Sequence, residues 1–185
     1  MLPTYLQEVY HLIYPARAFG CRLLANGTEL LGYVPHIAPN TWLHTCFAPL
    51  PIADVLALEQ QVGVALPPAL HKFYAYHNGF NIFSCELAIH GLRHNYMRTG
   101  DAAWQPFHLR DINCYGRSHI AQTQQLLLSR YRDGSWLYMD LQSEKVYHNS
   151  SFSAEPLHEW PDFESMLVSE AQRLTLLFDE RGRRY

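Results

Sequence analysis

No stretch of this 185-residue chain is apolar for long enough to cross a bilayer, and neither sign of charge dominates it. Its 17 acidic and 14 basic residues leave a formal net charge of −3 with neutral histidine. That mild charge argues against a dedicated nucleic-acid binder and supplies no strong steering field, although a modest preference for basic partners is compatible with it. Cysteine is scarce: four residues, at 21, 46, 85 and 114, without a CxxC pair. A zinc site built on thiolates therefore has no framework. Two disulfides could form, but a core of this size does not need them. There is no GxGxxG or phosphate loop, no internal repeat and no low-complexity segment. The first residues carry an acid at Glu8 and no basic region before an apolar run, so no export signal is read. The expectation is a cytoplasmic protein with reduced thiols.

What is present is a large apolar fraction, 48%, with 14% aromatics, the composition of a globular chain with a substantial core. The reading is one domain over 1–185. Its organising stretch is 55–91. Val55, Leu58, Val62 and Leu66 recur at three- and four-residue steps, one stripe of a helix. Gly63 interrupts its tail. Pro67 and Pro68 force a junction, and Pro68 suits the first turn of a second helix. Leu70, Phe73, Tyr74 and His77 continue that helix on one face. Asn78-Gly79 stops it, because glycine takes a left-handed cap without a Cβ penalty. Ile82-Phe83 and 87–89 then read as extended chain.

Before this stretch, Tyr5-Leu6, Val9-Tyr10 and Leu12-Ile13 form a helical stripe with Thr4 as its N-cap and Pro15 as its stop. Residues 21–24, Asn26-Gly27 and 30–34 read as a hairpin with a type I′ turn. Residues 36–51 read as an irregular cover, with Trp42 and Phe47 docked on the core. After it, 92–105 is polar and reads as a mobile loop. Tyr115-Gly116-Arg117 reads as a turn and 119–125 as a weak helix. Leu126 to Leu128 and Tyr131, Asp133-Gly134, Trp136 to Leu141 and Lys145 to His148 form an antiparallel meander. Its Leu137, Met139, Leu141 face should meet the core, leaving Trp136, Tyr138 and Asp140 outside. Asp162 is a good N-cap for a last helix through Phe163, Met166-Leu167, Glu170 and Leu174. Arg181, Arg183 and Arg184 then form a solvated basic tail. Strands flanked by helices without βαβ alternation give an α+β class: a central, largely antiparallel or mixed sheet with helices packed around it.

Chemistry-bearing patterns are thin. His90 and His94 are four apart, but Gly91 spoils the helix that would align them, and no HExxH acid accompanies them. His71 and His77 fall on different helix faces. Cys85 with His90, or Cys114 with His119, could make a nucleophile pair only if the fold brought them together. Among the acids Glu86, Asp101, Asp111, Asp133 and Asp140, Asp133 suits a turn and Asp140 a strand end. Arg93 and Arg98 flank Tyr96, an interleaving that can stack bases but equally suits a surface loop. The reading is no catalytic residue, no metal and no cofactor. Tyr96, Asp101, Trp104, Trp136, Tyr138 and Asp140 are the candidate contacts for a protein partner.

In sequence and spacing, one set of motifs resembles the SUKH superfamily, and within it the Smi/Knr-like branch. The resemblance rests on Glu59, Gly63, Leu66-Pro67, Asn78-Gly79, the 106–109 segment with Asn113, Asp133-Gly134-Ser135, Tyr138 to Asp140, Lys145 to Tyr147, Trp160, Phe163 and Glu164. It divides the chain into an N-terminal helix and irregular cover (1–49) and a SUKH-like core (50–185). It implies an α+β fold and a role as an immunity protein that binds and neutralises a cognate polymorphic toxin, with no enzymatic activity. The alternatives kept open are a regulatory interaction module and a small Cys/His hydrolase. Glu59, Gly63, Leu66, Pro67, Asn78, Gly79, Asp133, Gly134, Trp160 and Phe163 read as structural, because local backbone demands already account for them. The expected partner is a toxin domain, with no nucleic acid and no membrane.

Overall fold

The computed structural model describes residues 1–115, 124–131, 133–150, 153, 155–179 and 181–185. The chain opens with helix α1 (Thr4–Ile13), whose Tyr5, Leu6, Val9 and Ile13 are buried at helical spacing. Thr4 does not cap it; Pro3 holds the N-cap position and no side chain closes the turn. Pro15 does not stop the chain's winding either. A 3-10 segment, Tyr14–Phe19, continues past it, since a ring near the first position of a new turn removes no needed N–H.

Strands β1 (Cys21–Leu23), β2 (Glu29–Tyr33), β3 (Trp42–Cys46), β4 (Phe80–Ile82) and β5 (Leu87–Ile89) form a five-stranded sheet in that order, each neighbour antiparallel. The β1–β2 hairpin is present, but its turn is not type I′. Only Gly27 of the Asn-Gly pair has positive φ, and its N–H bonds Leu24 O at 2.9 Å. A three-residue loop with a left-handed glycine results. The larger difference is β3. Residues read as irregular cover supply the middle strand of the sheet. Its Leu43, His44, Thr45 and Cys46 are all buried, so no period-2 alternation marks it. His44 is tolerated there because its Nδ1 accepts the Phe83 N–H at 3.3 Å and burial holds its pKa down to about 3, keeping the ring neutral.

Between β3 and β4 lie α2 (Ile52–Val62) and α3 (Pro68–Tyr74), joined through Leu66-Pro67 as the two prolines require. After β5 the chain forms an irregular segment, α4 (Leu109–Cys114), and a second antiparallel sheet: β6 (Gln125–Arg130), β7 (Trp136–Asp140), β8 (Val146–Asn149) and β9 (Pro156–Trp160). The helix read over 119–125 falls on residues outside the description apart from Gln124 and Gln125, and Gln125 opens β6; of the 115–117 turn only Tyr115 is described. Helix α5 (Phe163–Thr175) starts on Asp162, whose carboxylate accepts the Ser165 N–H at 2.7 Å. It packs on α1 and α3, with Phe73 and Phe163 edge to face at 5.1 Å in the core. The architecture is α+β, in two sheets rather than one.

A side-chain amide ties α4 to the second sheet, and a backbone bond ties the first sheet to the second. Asn113 accepts the Leu127 N–H at 3.0 Å and donates to Leu127 O at 2.9 Å, so α4 pairs with β6 as a strand would. The His90 N–H donates to Leu128 O at 3.0 Å beside it. The C-terminal arginines do not all run free: Arg184 pairs with Glu86 at 2.7 Å and forms a bridge with Phe178.

Candidate functional site

The residues of the organising stretch hold backbone. Glu59 Oε1 accepts the Leu66 N–H at 2.7 Å and faces His71 Nε2 at 2.8 Å. The Leu66 amide, then His71, lower its pKa. Gly63 is the left-handed end of α2, while Leu66 and Pro67 are buried at the junction. Asn78 forms a second amide clasp, accepting the Leu92 N–H and donating to Leu92 O, both at 2.7 Å. Gly79 has φ +88°, and a Cβ there would sit 2.6 Å from Ile89 O. Trp160 and Phe163 are core residues. His77 takes the Tyr10 hydroxyl on Nε2 and faces Phe47 O through Nδ1 at 3.0 Å, tying α1 to the turn after α3 and to the chain after β3.

Asp133-Gly134 closes the β6–β7 turn, and here three residue types associated with hydrolysis meet. Ser135 Oγ lies 2.5 Å from Asp133 Oδ1 and 2.7 Å from His148 Nε2. Asp133 and His148, but not Ser135, edge a polar cavity of about 460 Å³ that Glu86, Tyr131, Glu170 and Arg173 also line. The hydrogen-bond order is wrong for a serine nucleophile. The single hydroxyl proton goes to the carboxylate, so the oxygen accepts from a protonated Nε2, which then has no lone pair to act as base. Ser135 is also buried. Deeper in the cavity, buried Glu170 takes both an Arg173 fork, at 2.8 and 2.8 Å, and the Tyr131 hydroxyl at 2.8 Å. These groups satisfy one another and fix α5 to the second sheet. Of the two cysteine–histidine pairs, only one has both members among the described residues. Cys85 keeps an exposed surface, yet desolvation by the surrounding protein raises its thiol; Cys114 donates to Gln61 O at 3.7 Å, and His119 lies outside the described residues.

The partner candidates separate into two groups. Trp136 and Tyr138 are only 7% and 8% exposed, so the second face of β7 is covered rather than presented. Asp140 accepts the Gln142 and Ser143 N–H groups at 3.1 and 2.8 Å and shapes the β7–β8 turn. Tyr96, Asp101 and Trp104 lie on the irregular segment after β5. Tyr96 is 63% exposed, stacked under Arg93 at 5.1 Å and bonded to Asp111 at 3.1 Å. Asp101 and Trp104 border an open groove of about 850 Å³. The segment read as mobile is heavily bonded: Gln105 ties the His94 N–H and the Asn95 side chain to Ala102 O.

The other side of that groove comes from residues that the sequence did not mark as partner contacts. Phe19, Tyr33 and Trp42 line it beside β1, with Arg22; Arg98 lines it from the irregular segment, on the side of Asp101 and Trp104. Asp101 joins the two sides. Its carboxylate takes Arg22 at 3.0 Å and the Ala25 N–H at 2.9 Å, and Asn26 donates to Asp101 O and Trp104 O, each at 3.0 Å. Arg98 has no ion pair among the described residues. Two arginines thus face one aspartate, giving the groove a positive balance on a chain whose net charge is negative. The alternation of β1 is too short to read, since all three of its residues are exposed.

A model of the SMI1 / KNR4 family (SUKH-1) matches residues 49–169. The chain belongs to that family. Comparison with curated proteins returns no match. The SUKH-1 span includes both asparagine clasps, Glu59 and the Asp133-Gly134 turn, and ends inside α5. Phe19, β1, Tyr33 and Trp42 all precede it. Among the described residues no helix is long and apolar enough to cross a membrane.

Proposed function

We propose that this SUKH-1 chain is an immunity protein: it binds a toxin domain in the cytoplasm and blocks it by covering the active site or substrate groove, without chemistry of its own. The family membership of residues 49–169 carries the reading. The positive, aromatic groove beside β1 supports it as an anchor for a protein partner, since aromatic and arginine residues supply most binding hot spots. Half of that groove lies outside the family span, where a partner-specific surface belongs. The reversed hydrogen bonding of Asp133, Ser135 and His148 favours binding over hydrolysis.

The test is co-expression with any toxin domain found encoded beside the gene. Cells making the toxin alone should die, cells making both should survive, and the two proteins should co-purify as a stoichiometric complex. Death in the presence of this chain, with no complex from the purified components, would end the immunity reading.

A further inference from the structure

The pairing of β1 leaves one side of its backbone open. Gly32 N–H bonds Gly20 O and Leu24 N–H bonds Thr28 O, both at 2.9 Å. With the register Cys21↔Leu31, Arg22↔Leu30, Leu23↔Glu29, the hydrogen-bonded pairs are those of residues 20, 22 and 24. The N–H and C=O groups of Cys21 and Leu23 therefore point away from β2. The next outward N–H, that of Ala25, is already taken by Asp101. Cys21 and Leu23 make no such bond among the described residues. Of the two, Cys21 lines the groove together with Tyr33, Trp42, Trp104 and Arg98, and Leu23 continues the same edge with its side chain exposed.

We propose that this edge is a strand-addition site: an extended, acidic segment of a protein partner pairs with β1 as a sixth strand of the first sheet. Main-chain bonds to Cys21 and Leu23 set its register, alternate apolar side chains enter between the aromatic walls, and an acidic side chain meets Arg98. Exposed edge strands with unpaired N–H and C=O groups are templates for this pairing. A second copy of the chain fits less well. Antiparallel pairing of two β1 edges through both Cys21 and Leu23 sets Arg22 opposite Arg22, like charges directly across a ladder. The proposal deepens the immunity reading by naming how a partner is held, and only its toxin arm rests on that reading.

The proposal is tested by amide hydrogen exchange on the full chain with two probes: any toxin domain found encoded beside the gene, and a capped synthetic peptide of alternating valine and glutamate. Binding should slow the Cys21 and Leu23 amides, while Arg22, already inside the ladder, changes little. Leu23→Pro removes an outward N–H only, follows an extended residue and sacrifices a side chain that is 75% exposed, so the fold should persist. It should weaken toxin binding about tenfold or more, as should Arg98→Glu, which leaves the backbone untouched. A peptide with proline at its centre should protect nothing. If the toxin binds while the Cys21 and Leu23 amides exchange as in the free protein, or if both variants bind like the parent, strand addition is overturned and the immunity reading stands. If the toxin does not bind, the immunity reading fails and the peptide decides: protection of the two amides supports the edge, and none overturns it.

Discussion

At the scale of single residues, two asparagines do what strands do elsewhere. Asn78 and Asn113 each use both ends of a side-chain amide to satisfy one backbone N–H and one C=O of a distant segment. Asn78→Asp keeps the acceptor but loses the donor to Leu92 O, and Asn78→Ala loses both. The alanine variant should cost about 2–3 kcal/mol, the usual penalty of leaving buried polar groups unpaired, read from urea midpoints. Gly79→Ala combines a left-handed φ with a Cβ that meets Ile89 O, and should be at least as damaging. Sequence shows half of this. Asn-Gly after a helix announces a stop, because the demand is local. Leu92, the clasp's partner, is fixed only when the chain returns.

Among the elements, legibility follows pattern. Helix α5 could be read from its cap and stripe, and α2 and α3 from the prolines between them. Strands β3 and β9 could not. β3 is buried on both faces and contains His44 and Thr45, while β9 opens with proline and is mostly exposed, so neither alternates. The face of β7 that reads as solvent-facing, with Trp136 and Tyr138, is covered by chain that alternation cannot foresee. Helix α5 also carries an element-level test. Glu170 is buried and depends on Arg173 and Tyr131. Arg173→Ala should destabilise the protein by about 3 kcal/mol by stranding that charge, whereas Lys145→Ala, which breaks the exposed pair with Glu159, should cost about 0–1 kcal/mol. Thermal unfolding of the two variants checks the contrast.

For the whole molecule, the buried histidines set a pH response. Burial lowers His44 to about 3 and His77 and His90 to about 4, from 6.5. Their folded pKa values lie below the unfolded one, so the unfolded state binds more protons as pH falls below 6.5 and stability drops with it. At about pH 5 each contributes a loss of about 2 kcal/mol. Glu59 and Asp133, held low by their hydrogen bonds, add a further loss only below the carboxylate range, so the two effects share a sign but not a window. Urea midpoints should be level between about pH 7.5 and 8.5 and fall steadily from there to pH 5; a flat profile on the acid side would contradict the buried, neutral histidines. Sequence by itself determined the class, helices α1, α2, α3 and α5, the place of the hairpin turns and the SUKH resemblance, because caps, prolines, glycines and periodic stripes act over a few residues; it missed the short α4 and the type of the first turn. Tertiary structure alone decided that the chain forms two sheets, that the first is centred on an unrecognised strand, and that Asp101 clamps a distant hairpin. It also decided which strand edge stays open. Those are facts about residues tens of positions apart, and no local preference encodes which of them meet.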